Sequence, residues 1–359
     1  MDQYLDMAGS RQIIKRLSLC FCVFVFVLCC MPCADAEPVK YTESFYGAFD
    51  TVVTLIGYAE EPAVFDSAFE SVKSIFLRYH QVFDNYNEYE GVYNLLYLNS
   101  HASEGYTPVE PELMDLLVWV KDVQDVSMGR VNIAMGSVLS IWHRYREEGV
   151  RLPPLDILEE AAKHTGFENV ILDRENGTVF YSDPLLQLDL GAVGKGFATE
   201  IAARRLDESN MPSYIINAGG NVRCGASPMD GRQRWGVGIA DPFDPGVYKD
   251  IIFTKEMSVV TSGDYQRFYT VDGKNYHHII DPDTLFPSAF MHGVTVVAPD
   301  SGLADLLSTA LFNMPWQDGR RLAESLEGVE VYWVLMDGSV EMTDGMASML
   351  SSRGASGRD

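Results

Sequence analysis

Apolar residues recur at helical spacing in PAVFDSAFESVKSIFLRYHQVF and again in PELMDLLVWVKDVQDVS, which predicts two helices in the first third of the chain. VEPELM reads as the entry to the second. The segment Pro154 to Val170, PLDILEEAAKHTGFENV, predicts a further helix ending at Gly166. After it VILD, TVFYS and LQLDL read as consecutive strands, with Gly177 in a turn between the first two. YIINAGG, WGVGIA, MSVVTSG and GVTVVAP predict more strands, and LADLLSTALF a late helix. Early helices, a central run of strands and a late helix predict an α+β protein. No internal repeat and no low-complexity linker interrupts the pattern.

One apolar run has neither period. Leu17 to Met31, LSLCFCVFVFVLCCM, follows Arg11, Lys15 and Arg16 and has the length of a signal-peptide core, not of a membrane span. Two exits are open: cleavage after Ala34-Asp35-Ala36, ahead of Glu37, or a lipobox-like ending in which Cys29, Cys30 or Cys33 becomes a lipidated first residue. The cysteines clustered just after the run favour the lipoprotein. The expectation is an exported, periplasmic protein anchored to the inner membrane through an N-terminal lipid. It divides into a leader (1–36), one domain (37–350) and a polar tail (351–359).

Composition narrows the function classes. Five of the six cysteines lie in the leader, leaving Cys224 alone, so no disulfide framework forms inside the mature domain. A net charge of −24, from 51 acidic and 27 basic residues, opposes nucleic-acid binding, which needs a basic face. The same charge repels an anionic ligand, so a phosphate substrate calls for a bridging cation.

The densest candidate chemistry is LDLGAVGKGFATE, Leu188 to Glu200. It is not a Walker loop, because only two residues separate Gly191 from Gly194-Lys195 and Gly196 stands where the hydroxyl belongs. Its glycines are spaced G-x-x-G-x-G, the reverse of the dinucleotide fingerprint. A strand end, glycines that admit an anion to backbone N–H groups, a lysine and a following helix nonetheless suit phosphate. The plain alternative is a strand-to-helix turn with a solvated lysine. Three more corners follow apolar strands: NAGGN (Asn217 to Asn221), TSGDY (Thr261 to Tyr265) and HHIIDPDT (His277 to Thr284). Each alone is an ordinary turn. In the late helix, Asp305 and Thr309 stand four apart on one face, where a carboxylate and a hydroxyl can share a hard cation. The competing reading is an acid near a helix N-terminus and a threonine bonded back into its own helix.

Taken in order, VFDNY, GRVNIAMGSVLSIW, LDLGAVGKGFATE, NAGGN, TSGDY, HHIIDP and ADLLSTALF resemble the ApbE family, bacterial FAD:protein FMN transferases, from about Tyr46 to Phe312. The resemblance implies a T-fold-related α+β structure with a mixed, largely antiparallel sheet, gripping FAD and Mg²⁺ between two lobes. The metal would rest on the carbonyl of Ala192 and the side chains of Asp305 and Thr309. FAD contacts would fall on Tyr46, Tyr86, Arg130, Val131, Asp189, Lys195 and Ile279, with the Tyr86 ring stacking on a flat heterocycle. His278 would be the general base. The glycine loop would then serve the pyrophosphate of FAD. The implied reaction moves FMN to a Thr or Ser hydroxyl of an acceptor flavoprotein, such as a Rnf/Nqr-type subunit, and releases AMP. Attack by water would make the same site an FAD pyrophosphatase.

Two departures from the family pattern stand out. Asn132 and Ala134 replace a common Asp and Thr, and Thr284 is followed by Leu285 where glycine is usual. Leucine tolerates positive φ poorly, so that turn is expected to differ. The rival reading from another class is an exported lipoprotein that carries FAD without turning it over; Asp305, Thr309 and Lys195 argue against it. His277, His292, Met128 and Met135 read as packing or surface residues, and Trp142 and Trp333 as core.

Overall fold

The computed structural model describes residues 37–244 and 246–358. The leader, with its cleavage and lipidation expectations, lies outside them. No helix among the described residues is long and apolar enough to cross a membrane.

The chain enters as a hairpin, β1 (Val39–Ala48) and β2 (Thr51–Ala59), followed by the long helix α1 (Pro62–Phe83). Its buried stripe, Phe65, Phe69, Val72 and Phe76, lies on β1 and β2 at three- and four-residue steps. Next come α2 (Leu95–His101), β3 (Thr107–Pro108), α3 (Pro111–Val123), α4 (Gly136–Glu148), α5 (Leu155–Ala162), β4 (Val170–Asp173) and β5 (Thr178–Tyr181). The glycine loop opens α6 (Gly194–Asp207). Then follow β6 (Tyr214–Ala218), β7 (Asn221–Cys224), β8 (Trp235–Ala240), β9 (Tyr248–Thr254), β10 (Ser258–Gly263), β11 (Phe268–Val271) and β12 (Lys274–His277). The chain closes with β13 (Met291–Ala298), α7 (Ser301–Phe312), α8 (Trp316–Glu324), β14 (Glu330–Leu335), β15 (Val340–Met342) and the short α9 (Asp344–Ala347).

Eight strands form one sheet in the order β1-β2-β6-β7-β10-β13-β14-β15, every neighbouring pair antiparallel. The α+β expectation with a largely antiparallel sheet therefore holds. β13 is buried almost throughout, as a central strand covered on both faces should be. α6 and α7 pack together on this sheet, and Leu306, Leu307, Ala310 and Leu311 join the largest apolar cluster.

Three expectations need correction. The helix from Pro154 ends at Ala162, four residues short of Gly166, because 163–166 turn away; the Thr165 hydroxyl donates to the Ala162 carbonyl. LQLDL belongs to no sheet. The Asn99 side chain takes both backbone groups of Leu188, Oδ1 accepting its N–H (2.9 Å) and Nδ2 donating to its carbonyl (2.9 Å), which leaves a single bridge, Gln187 to Met135. Leu285 does adopt positive φ, +60°. That conformation costs about 1–2 kcal/mol. Its N–H donates to the Asp281 carbonyl (2.8 Å), its carbonyl accepts from Trp142 Nε1 (2.8 Å), and its side chain is buried beside Trp142 and Phe286.

Residues 351–358 are tied to the sheet region: the Gly357 carbonyl accepts from Gln233 N–H (2.6 Å), and the Ser352 hydroxyl bonds Asp250.

Candidate functional site

A cavity of about 670 Å³ opens where the corners between elements converge. Ten of the eleven candidate site residues line it: Tyr86, Arg130, Val131, Asp189, Ala192, Lys195, His278, Ile279, Asp305 and Thr309; Met135 and Trp142, read as packing and core, line it as well. Tyr46 does not; it stands on β1, 72% exposed.

The glycine loop is shaped by its own side chains. Asp189 Oδ1 accepts from the Gly191 N–H (2.8 Å), and the amides of Val193 and Gly194 fold back onto the Leu190 carbonyl. α6 starts with no side-chain cap of its own. Its first-turn amide at Gly196 donates instead to Asp305 Oδ2, 2.8 Å away on α7. Gly196 is the condition for this contact: a Cβ there would sit 2.4 Å from Asp305 Cβ and 2.4 Å from the Ser301 carbonyl oxygen. Lys195 Nζ stands 3.8 Å from Asp305 Oδ1. Asp305 is buried, and desolvation raises its pKa against the opposing pull of Lys195. One carboxylate thus sits at the positive end of a helix beside a lysine, with the partly exposed Thr309 one turn along.

Across the cavity, the His278 ring is fixed by the Arg267 carbonyl, which accepts from Nδ1 at 3.3 Å. A carbonyl cannot donate, so Nδ1 carries the proton and Nε2 the lone pair. Burial, with Arg267 nearby, pushes the His278 pKa down to about 3 and keeps the ring neutral. The adjacent His277 is a satisfied core residue, Nε2 donating to the Ser288 carbonyl (2.8 Å) and Nδ1 accepting from Ile279 N–H (3.2 Å). Arg130 pairs with Asp283, and Asn132 Oδ1 accepts from the Ala134 N–H (2.9 Å).

Tyr86 is held through its backbone. Asp84 Oδ1 accepts from the N–H groups of Tyr86 (2.7 Å) and Asn87 (3.2 Å), while Oδ2 accepts from the Tyr89 hydroxyl (2.7 Å). Desolvation of Asp84 is outweighed by these bonds, so its pKa is lowered.

Sequence reasoning missed Arg146 and Arg267, which add two guanidiniums to the lining. It also missed Phe49 and Asp50, consecutive positive-φ residues in the β1–β2 turn that reach the same cavity.

The ApbE family model matches residues 49–333. The chain belongs to the ApbE family. The FAD:protein FMN transferase of Treponema pallidum is 32% identical over 263 residues, covering 69% of this chain and 72% of its own. That of Klebsiella pneumoniae is 29% identical over 239 residues, covering 66% and 73%. Among solved structures, the ApbE protein of Thermotoga maritima superposes with a TM-score of 0.78 at 28% identity over 87% of this chain and 99% of its own. The flavin transferase ApbE of Vibrio cholerae, at 21% identity and a TM-score of 0.70, shares the fold over 86% and 97%. Within the ApbE family frame, the family model spans every residue that lines the cavity.

Proposed function

We propose that this protein is an FAD:protein FMN transferase that cleaves the FAD pyrophosphate, moves FMN to a Thr or Ser hydroxyl of an acceptor flavoprotein and releases AMP. The observation that carries the reading is the convergence of Asp305, Thr309, Lys195 and His278 on one cavity.

The donor set of the Ala192 carbonyl, Asp305 and Thr309 is all oxygen and holds one carboxylate, and no group of three or more His, Cys, Asp or Glu among the described residues could bind a metal alone. Such a set fits Mg²⁺, which keeps waters and takes substrate phosphates to complete its shell. When bound, the ion would supply charge neutralisation at the pyrophosphate.

The chain's own residues do the rest. Lys195, Arg146 and Arg267 offset phosphate charge inside a protein of net charge −24. His278 Nε2, unprotonated, takes the proton of the attacking hydroxyl. The hydroxyl oxygen bonds the FMN phosphorus, the P–O bond to AMP breaks, and the electron pair leaves on the AMP phosphate. Water in place of the hydroxyl would give FMN and AMP, so FAD hydrolysis is a second activity of the same machinery. Acceptors of the Rnf/Nqr type and an N-terminal lipid anchor in the periplasmic inner membrane complete the proposal; the leader cysteines and apolar run support the anchor.

The test follows FMN, AMP and acceptor mass with FAD, with and without Mg²⁺ and an acceptor domain. Acceptor mass rising by one FMN only with Mg²⁺ is the expected result. FAD bound and unchanged under all conditions would make the protein a flavin carrier.

A further inference from the structure

The Tyr86 ring is not free on both faces. It packs on the imidazole of His143, with ring centroids 4.5 Å apart and planes 34° apart. His143 comes from α4, a different element from the turn that carries Tyr86, and its ring is fixed by its own helix. Nδ1 accepts from an Arg146 amino group at 2.8 Å, and Nε2 lies 3.2 Å from Glu147 Oε1. A guanidinium only donates, so Nδ1 bears the lone pair and Nε2 the proton. The helical steps of three and four residues bring these partners to His143.

A centroid separation of 4.5 Å leaves no room for a third ring between the two. A heterocycle must use the other face of Tyr86, a residue 56% exposed overall. Arg146 has no carboxylate in ion-pair contact among the described residues, and both it and His143 line the cavity. We infer that His143, oriented by Arg146 and Glu147, is a positioning residue that backs the Tyr86 ring so that its outer face receives the flat ring system of the substrate.

This inference rests on the proposed use of FAD and deepens it by assigning the backing layer of the ring subsite. If it holds, His143→Ala frees the Tyr86 ring and weakens FAD binding three- to tenfold, the scale of one aromatic contact. His143→Phe keeps a flat ring under Tyr86 and restores affinity. The experiment titrates FAD by flavin fluorescence in EDTA, where no turnover occurs, and measures KM and kcat with Mg²⁺ for the wild type and both variants. The expected pattern is a raised Kd and KM in His143→Ala, kcat at saturating FAD close to wild type, and rescue of both constants by His143→Phe. Wild-type affinity in His143→Ala, or a His143→Phe protein as weak as His143→Ala, would overturn it. A wild-type protein that fails to bind FAD would instead overturn the functional reading, so the two failures are distinct. Thermal midpoints of the three proteins separate a general loss of fold from a local change.

Discussion

Asp305 shows how one carboxylate serves both fold and site. It is buried, which raises its pKa, and the nearby Lys195 and the Gly196 amide it accepts oppose that shift. Asp305→Ala should lower FMN transfer by roughly 10²-fold or more, the scale of losing one preorganised charge contact. A Mg²⁺ titration of the variant checks it, and full Mg²⁺-dependent activity would refute the assignment. At His278 the sign of the pH effect follows from its depressed pKa. The active form is unprotonated, so activity is lost as pH falls through that pKa. In the free enzyme that loss sits well below the usual value of 6.5. A bound polyanion favours the imidazolium and raises the pKa. The acid limb of kcat should therefore lie at higher pH than that of kcat/KM, and His278→Ala should remove both limbs. Paired pH profiles decide it. These two residues were candidates in the sequence because each belongs to the ordered series of motifs that carries the family resemblance. Arg146 and Arg267 were not, because an arginine on a helix or after a turn has no signature until the fold brings it to a cavity.

The elements that carry the site are the turns between strands, the first turn of α6, the second and third turns of α7 and one face of α4. Helical periodicity located α1 to the residue and α7 to within two, since each buries a continuous apolar stripe, whereas the second helix ends at Val123 and its last four residues, Gln124–Ser127, tighten into a 3-10 turn. The run LQLDL misled, because its alternation is that of a strand while the Asn99 side chain takes both backbone groups of Leu188. Leu285 misled in the opposite sense: a local penalty was outweighed by burial and by the Trp142 hydrogen bond. The α6–α7 contact gives a prediction of its own. Gly196→Ala places a methyl 2.4 Å from backbone and from Asp305, neither being the end of a flexible side chain. The expected cost is about 1–3 kcal/mol, a thermal midpoint lower by several degrees, and a transfer rate reduced further than at Lys195→Gln. Calorimetry with activity at a permissive temperature tests it; an unchanged midpoint would mean the helices separate freely.

Across the whole molecule, the cavity draws on residues from Phe49 to Asn313, supplied by β2, α1, α2, α4, α6, β10, α7 and the turns between elements. Its lining crosses the boundaries between apolar clusters: Phe49 packs with α1 and β2, Val131 and Ile279 with α7, and Met135 and Trp142 with the Leu285 turn. A ligand seated there holds these clusters together and binds only the folded chain. FAD at about 100 times its Kd should stabilise the protein by roughly 2.7 kcal/mol, provided the unfolded chain has no affinity. The rise in thermal midpoint should survive EDTA if the rings and cations bind FAD without the metal, and should grow with Mg²⁺ if Asp305 and Thr309 then engage the phosphates. A midpoint that rises with Mg²⁺ alone and ignores FAD would detach the cavity from flavin. The long-range charge of −24 opposes this binding, whereas Lys195, Arg146 and Arg267 act within a few ångströms. Repulsion from the distant surface is largely screened beyond about 8 Å at physiological salt. Local cations therefore set affinity, and the acidic exterior that argued against nucleic acid is compatible with an anionic flavin nucleotide.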